Sequence, residues 1–392
     1  MQNSISSIMS RALRILAIGH PYIVAMNRSI LRALAENPVF DITVAAPSYH
    51  HGDLRPLHIE PEPAFSKIRQ VGIKAHLTRF PHIFSYDKAQ LKSLASGGFD
   101  LVQAWEEPFV YAGYQVATYA SEARARFCFR TDQNYLKHYP PPFSFFERKV
   151  LQRSQGWIAG GNLVYEAMLR RNYPSHSGRI MDAAVDLDAF HPASLAERSE
   201  VLTELGLSGP VIGFVGRLTK AKGLPMLIEA LDRIAHKEWN LLIVGSGPYK
   251  SAIDEWISLR GLANRVRIML VSHQQVPRYL RAMNMLVVPS QTTKNWREQF
   301  GRVIIEAFAS GVPVIGSDSG EIPRVIAHAG KIVPESDVAA WSSAVTQLLD
   351  GDSLSARLSS LGLRRAQDFS VATLSEQYRS YYAWLADQPL NN

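Results

Sequence analysis

The chain has 392 residues, 46% hydrophobic and 20% charged, with 42 Lys and Arg against 35 Asp and Glu for a formal net charge of +7. These proportions are ordinary for a globular protein and exclude a disordered, collagen-like or coiled-coil chain. At roughly 150 residues per domain the length fits two or three domains, two being the better fit. The one cysteine, Cys128, cannot form an intrachain disulfide, so nothing calls for an oxidising compartment.

Residues 1–10 (MQNSISSIMS) lack the apolar core of a leader peptide. No stretch approaches the roughly 18–20 apolar residues of a membrane-spanning helix, so a cytoplasmic address is expected. RALRILAIG (11–19) reads as a strand entering a turn at Gly19-His20-Pro21, residues 23–36 as a helix, and DITVAAP (41–47) as a second strand. Further strands are expected at 73–77, 100–104, 126–130 and 157–159. Long loops are expected at 48–64 and at 132–146, which contains Pro140-Pro141-Pro142. Residues 1–195 hold 21 Lys and Arg against 16 Asp and Glu, and nine of the twelve histidines. A solvated basic surface and an anionic partner (acidic lipid or a phosphorylated acceptor) both fit that excess. Nucleic acid does not, because no run of clustered Lys and Arg is interleaved with aromatics.

The stretch 183–209 carries Pro192, Gly206 and Gly209 and marks the connection between halves. Beyond it, strands are expected at 211–216, 241–245, 266–271, 285–289, 312–316 and 331–333. Helices are expected near 223–236, 248–260, 274–283, 301–310, 321–328 and 337–350. The alternation predicts a second doubly wound sheet. Segment 371–387 has too many aromatics for an exposed tail and is expected to pack on the first domain. The expected division is 1–190, 191–370 and a terminal helix in 371–392, with ligands beyond the C-terminal strand ends in a gap between the domains.

The chemistry concentrates in WREQFGRVIIEAFASGVPVIGSDSG (296–320). Glu298 and Glu306 are separated by seven residues. Phe300-Gly301 opens a helix whose unpaired first-turn N–H groups suit phosphate oxygens, and a carboxylate suits vicinal hydroxyls. Taken alone, an exposed acidic cap and a salt-bridged helix glutamate fit equally well. VIGFVGRLTKAKGL (211–224) places Gly216, Arg217 and Lys222 at a strand end, where two cations suit a diphosphate; solvated surface cations fit too. LLIVGSGP (241–248) supplies Gly247 but lacks the third glycine of a dinucleotide fingerprint.

In order and spacing, these pieces resemble the retaining glycosyltransferases of glycosyltransferase family 4. The resemblance rests on GFVGRLTKAKG (213–223), LLIVGSGP (241–248), VVPS (287–290), EQFGRVIIE (298–306) and EAFASGVPVIGSDSGEIPRVI (306–326), with VDLDAFHP (185–192) similar to the interdomain element. It covers about residues 185–350. It implies the GT-B fold, an α/β architecture of two Rossmann-like domains facing a central cleft, and transfer of a sugar from a nucleotide donor. Carried over by position, it makes Arg217 and Lys222 the pair on the donor diphosphate and Glu298 the contact to the donor sugar. Phe300 and Gly301 lie by the sugar and phosphate, Glu306 holds the ribose, and Val271 and Ser272 approach the base.

Three positions depart from the pattern: Leu270 and Ala184 stand where glycines are usual, and GHPYIVAMN (19–27) replaces a glycine-rich loop. RTDQN (130–134) stands where many relatives carry a histidine, which makes Asp132 the candidate there. His20 and the pair Glu106 and Glu107 are the other acceptor-side candidates. The triplet Asp186-Leu187-Asp188 has the form that holds a metal in other glycosyltransferases, but its place in the linker reads as a turn. No H-E-x-x-H or Cys/His pattern supports zinc. No metal and no cofactor is expected. The expected partners are a nucleoside diphosphate sugar and a saccharide, lipid-linked or small-molecule acceptor, with an anionic membrane surface as a further candidate. A GT-B phosphorylase, a sugar-nucleotide epimerase and a nicotinamide-dependent oxidoreductase remain alternatives.

Overall fold

The computed structural model describes residues 11–52 and 56–390. Residues 1–10, where the sequence lacks a leader core, lie outside the described residues, as do 53–55 in the expected 48–64 loop and 391–392. The chain divides into two units, residues 1–182 with 371–392, and residues 183–370.

The first unit is built on seven strands: β1 (Leu13–Ile18), β2 (Phe40–Pro47), β3 (Arg69–Ile73), β4 (Leu101–Ala104), β5 (Arg126–Thr131), β6 (Gly156–Ala159) and β7 (Gly178–Ile180). They are parallel and ordered β7-β6-β5-β4-β1-β2-β3. Ile15, Leu16, Ala17 and Ile18 are fully buried. Helices cover both faces of such a sheet, so its strands read as apolar runs rather than alternating ones. The strand expected at 73–77 shares only Ile73 with the edge strand β3; Ala75 and His76 instead form a short antiparallel pair with Tyr86 and Ser85.

The helix expected over 23–36 begins only at α1 (Ser29–Ala35), after two 3₁₀ turns, His20–Ile23 and Ala25–Arg28. Val24 is extended between them, and the buried Arg28 guanidinium fixes the turns by donating to the carbonyls of Tyr22 and Glu60 and to the Glu62 carboxylate. Helices α2 (Lys88–Ala95), α3 (Tyr111–Glu122), α4 (Phe143–Arg153) and α5 (Asn162–Arg170) follow, α2 capped by Asp87, which accepts from the Gln90 N–H at 3.0 Å. Helix α4 shortens the expected 132–146 loop, starting directly after the three prolines.

The second unit has six parallel strands: β8 (Val211–Val215), β9 (Asn240–Val244), β10 (Val266–Met269), β11 (Met285–Val288), β12 (Val314–Ser317) and β13 (Lys331–Val333), in the order β10-β9-β8-β11-β12-β13. Its first helix, α6 (Leu195–Leu205), lies in the stretch taken from sequence as a connection. Ser194 and Glu197 form a capping box at its start, and Gly206 ends it in the left-handed conformation. Then come α7 (Leu224–Arg233), α8 (Lys250–Arg260), α9 (Val276–Leu280), α10 (Arg302–Ala309), α11 (Ile322–Ile326), α12 (Val338–Leu349) and α13 (Asp352–Gln367).

The break between units falls at Asp182–Ala183 rather than after residue 190. Val185 and Phe190 are buried in the core of the second unit, and the Val185 N–H donates to the Phe369 carbonyl at 2.9 Å. The terminal helix α14 (Val371–Ala386) belongs to the first unit. Tyr381 donates to the Ser177 carbonyl at 2.8 Å, Tyr382 donates to Gln103, and Leu385 is fully buried. Among the described residues no helix is long and apolar enough to cross a membrane.

Candidate functional site

In an open parallel sheet the chain leaves one strand to run in opposite directions, and ligands gather beyond the strand ends at that switch point. The second unit switches between β8 and β11. A cavity of about 260 Å³ lies there, lined by Gly216, Arg217, Lys222, Ser290, Glu298 and Gly301 among others. The Lys222 ammonium donates to Glu298 Oε2 at 2.6 Å, the Ser290 hydroxyl donates to the same oxygen at 2.7 Å, and Lys222 lies 4.9 Å from the centre of the Trp296 ring. Glu298 is buried, and its carbonyl accepts the Glu321 N–H at 3.2 Å.

The backbone makes this approach possible. Gly223, φ +75°, ends the lysine turn, and a Cβ there would stand 1.7 Å from the Pro289 carbonyl oxygen, so no other residue lets the β8 loop close on the β11 end. Gly301, φ +80°, turns the chain into α10, whose Ile304, Ile305, Ala307 and Phe308 are buried and whose first residues Arg302 and Val303 line the cavity. The loop after β9 holds the Arg217 loop through the Leu218 N–H, which donates to the Ser246 carbonyl at 2.8 Å.

Glu306 lies one helical turn past Arg302 and is buried. Burial pushes its carboxyl up to about 7, against the weaker pull of Arg302. It does not line the cavity, nor do Gly247, Val271, Ser272 and Phe300. A Cβ on Gly247 would crowd the Leu218 backbone. The Phe300 ring meets Phe369 edge-on at 5.7 Å in the core. Ser272 bonds Gln275 at the start of a 3₁₀ turn, beyond the edge strand β10. The linker aspartate Asp186 accepts the N–H groups of Asp188 at 3.0 Å and Ala189 at 3.3 Å, a local turn. Among the described residues no group of three His, Cys, Asp or Glu is placed to hold a metal ion.

The first unit switches between β1 and β4, and the acceptor-side candidates gather at the strand ends there and on the adjoining β5. Glu106, buried just past β4, accepts three hydrogen bonds: the His20 N–H at 2.6 Å, the Tyr86 hydroxyl at 2.6 Å and His20 Nδ1 at 2.8 Å. The imidazole keeps 42% of its side chain exposed. Burial lowers the His20 pKa, but Glu106, Glu107 and Asp132 outweigh it, so the net shift is upward. Glu107 accepts the Thr131 hydroxyl at 2.5 Å and the Asp132 N–H at 2.8 Å; burial, then the charge of Asp132, pushes it up to about 7. Asp132 accepts from the Trp105 indole at 2.9 Å and lies 3.4 Å from the Arg130 guanidinium.

Sequence reasoning did not single out Ser290, Trp296 and Arg302 in the second unit, nor Tyr86, Trp105, Thr131 and Arg130 in the first. Ser290, Trp296 and Arg302 lie in the quoted VVPS and 296–320 stretches and Arg130 and Thr131 in the quoted RTDQN, so these had a signal; Tyr86 and Trp105 are brought in by the fold.

Residues 203–364 match the sequence family of glycosyl transferases group 1. Among curated proteins, the D-inositol 3-phosphate glycosyltransferase of Corynebacterium urealyticum is 29% identical over 240 residues, 57% of this chain and 55% of that protein. The capsular polysaccharide biosynthesis glycosyltransferase CapM of Staphylococcus aureus is 34% identical over 178 residues, 44% of this chain and 45% of that protein. The chain thus spans about half the length of these relatives. Among solved structures, Anabaena Alr3699/HepE in complex with UDP superposes with a TM-score of 0.73 at 18% identity, over 95% of this chain and 100% of that one. A glycosyltransferase from Rickettsia africae superposes with a TM-score of 0.76 at 16% identity, over 97% and 100%.

The fold is GT-B. Within this GT-B chain the family match falls in the second unit, which holds the Lys222–Glu298 cavity, while the whole-chain structural likeness includes the first unit with its separate strand-end cluster.

Proposed function

We propose that this chain is a retaining glycosyltransferase of family 4, moving a hexosyl group from a nucleoside diphosphate sugar to an acceptor hydroxyl in glycoconjugate or surface polysaccharide synthesis. The observation that carries the reading is the β8–β11 switch point, where Arg217 and Lys222 border one cavity with Glu298. Two cations there suit a group whose negative charge grows as a bond breaks. Glu298, held by Lys222 and Ser290, suits the hydroxyls of the donor sugar, and buried Glu306 suits the ribose diol.

The bond from C1 to the diphosphate oxygen lengthens first, its electron pair passing to that oxygen, where Arg217 and Lys222 meet the developing charge. The acceptor oxygen then bonds to C1 from the same face, and its proton passes to the departing phosphate. Configuration at C1 is retained, and neither a metal nor a strong general base is required.

The test is incubation with UDP-, GDP- and ADP-sugars, UDP-sugars first because the Anabaena neighbour binds UDP. Acceptor candidates are supplied and products followed by mass spectrometry. Nucleoside diphosphate released in step with a glycosylated product of unchanged anomeric configuration supports the reading. Release of sugar phosphate, or epimerised nucleotide sugar without transfer, overturns it in favour of a phosphorylase or an epimerase.

A further inference from the structure

The first unit has a net basic excess, 22 Lys and Arg against 16 Asp and Glu over 1–182 and 371–392. One of its faces joins cations to exposed aromatic rings, and helix α4 is the centre of it. Glu147 and Val150 turn inward and are buried, and the Glu147 carboxylate accepts from the Arg171 guanidinium at 2.9 Å and the Tyr173 hydroxyl at 2.6 Å. Phe145, Arg148 and Lys149 stand three and four residues apart, so they share the other side of the helix. The two cations lie 5.7 and 5.9 Å from the centre of the Phe145 ring.

The loop 77–84 extends this face. The Tyr111 N–H donates to the His82 carbonyl at 3.1 Å, and the His82 ring lies 5.5 Å from that of Phe143. From Phe143 the rings continue to Phe146 at 6.2 Å, from there to Tyr114 at 5.0 Å, and on to Phe145 at 5.9 Å. Phe80, Ile83 and Phe145 are 56%, 43% and 39% exposed. One exposed apolar side chain is ordinary; a group of them bordering a single ring cluster marks an interaction surface.

Charge decides which partner it fits. Segments 77–84 and 143–153 hold four cations, Arg79, Arg148, Lys149 and Arg153, and one carboxylate, the buried Glu147. The partners of the helix cations are neutral: Lys149 donates to Gln152 at 3.2 Å and Arg153 to the Thr118 hydroxyl at 3.1 Å. A second copy meeting this face about a two-fold axis would set cations against cations. An anionic bilayer uses both features, because rings settle at the headgroup level and cations are drawn to acidic lipid. With no helix able to cross a membrane among the described residues, such contact stays in the interface.

We propose that the outward side of α4 and the 77–84 loop form a docking surface for an anionic lipid bilayer. Phe80, Ile83 and Phe145 enter the headgroup boundary, and Arg79, Arg148, Lys149 and Arg153 meet the lipid phosphates. The surface goes beyond the glycosyl-transfer reading and does not depend on it.

The test is co-sedimentation of the full chain with vesicles of phosphatidylcholine alone and of phosphatidylcholine with about 30% phosphatidylglycerol, at ionic strengths of about 0.05 and 0.5 M. Binding to the anionic vesicles at low salt is expected, about tenfold or more tighter than to the neutral ones and weakened by high salt. Arg148→Ser with Lys149→Ser, and separately Phe80→Ser with Phe145→Ser, should each weaken it about tenfold. Arg233→Ser with Lys250→Ser removes the same charge from the second unit and should bind as the wild type does. No binding to anionic vesicles, equal binding to neutral ones, an equal loss in the second-unit pair, or wild-type binding in both first-unit pairs overturns the proposal. Where the aromatic pair fails to fold, the Arg148 and Lys149 pair against the second-unit pair decides alone. Self-association that the aromatic pair abolishes, without vesicle binding, overturns it in favour of a second copy. No donor enters the assay, so its failure leaves the donor reading untouched.

Discussion

The two sheets reverse direction at equivalent places and present opposite chemistry there. Past β8 and β11 two cations surround one carboxylate; past β1 and β4 three carboxylates surround one imidazole, with the nearby arginine folded into the core. Topology therefore fixes where each cluster of side chains lies, and the few residues after each strand fix its charge. The first arrangement is the one proposed above to meet a leaving diphosphate; the second is acidic. Both are built on glycines that let a loop approach closely, but the approach differs: at Gly223 the neighbour is a backbone carbonyl, and at Gly160 it is the end of a side chain.

That difference gives the largest expected effect. Gly223→Ala adds a Cβ 1.7 Å from the Pro289 oxygen at a φ of +75°. The left-handed conformation alone costs about 1–2 kcal/mol, and the carbonyl cannot move without disturbing β11, so a total loss above about 4 kcal/mol is expected. Gly160→Ala needs only the Asp132 carboxylate to swing away and should cost about 1–2 kcal/mol. Chemical denaturation of both variants measures the gap; equal losses would mean that the two strand ends are equally pliable and that backbone contact is not what distinguishes them.

Lys222→Ala tests chemistry rather than shape. Turnover should fall about 10²–10³-fold, as when a donor facing developing charge is removed, with the acceptor KM little changed. His20→Gln should instead raise the acceptor KM about tenfold and leave turnover nearly intact. Near wild-type turnover of Lys222→Ala removes the diphosphate assignment, and a shared pattern in the two variants removes the division of labour between the switch points.

The reach of sequence reasoning follows the same divide. Arg217, Lys222, Glu298 and Gly301 were legible because each lies in a short motif whose residues are neighbours along the chain, and apolar runs marked most strands of both sheets. The His20–Glu106 pair spans 86 residues and Lys222–Glu298 spans 76, so the bonds themselves depend on which strands lie side by side. The candidates His20 and Glu106 could be named from strand ends, but their pairing could not. Helix α1 starts late because a buried arginine pins two turns to the Glu60–Glu62 loop, a long-range contact that no local pattern encodes. Helix α6 had a local signal, Ser194 followed by Glu197, hidden by the prolines and glycines around it.

Glu306 offers a titration test of the second unit, in the same pH range as the buried Glu107 of the first. Its carboxyl lies near 4.5 when exposed and about 7 in the fold. The unfolded chain therefore releases this proton first as pH rises. The associated stability is full below about pH 4.5, is lost up to about pH 7, and is then flat. Its upper size is about 3 kcal/mol. In Glu306→Gln that component should vanish, so the stability difference between variant and wild type changes between pH 5 and pH 7.5. Because an ionised carboxylate accepts hydroxyls better than a protonated one, nucleotide binding by the wild type should strengthen as pH rises through 7. Binding that is flat from pH 6 to 8 and parallel stability curves would detach Glu306 from the nucleotide.

The smallest effect is expected where charge lies outside both switch points. Asp186 and Asp188 have the spacing of a metal-holding pair, yet Asp186 spends its Oδ1 on two backbone N–H groups of its own turn. An asparagine supplies the same acceptor oxygen, so Asp186→Asn should change stability by no more than about 0.5 kcal/mol and leave turnover unaltered. A chelator should likewise leave the transfer rate unchanged. If turnover collapses in this variant, or if chelation abolishes activity and magnesium restores it, then charge stabilisation is not confined to Arg217 and Lys222, and the contrast between the two strand ends is no longer sufficient to explain how the diphosphate leaves.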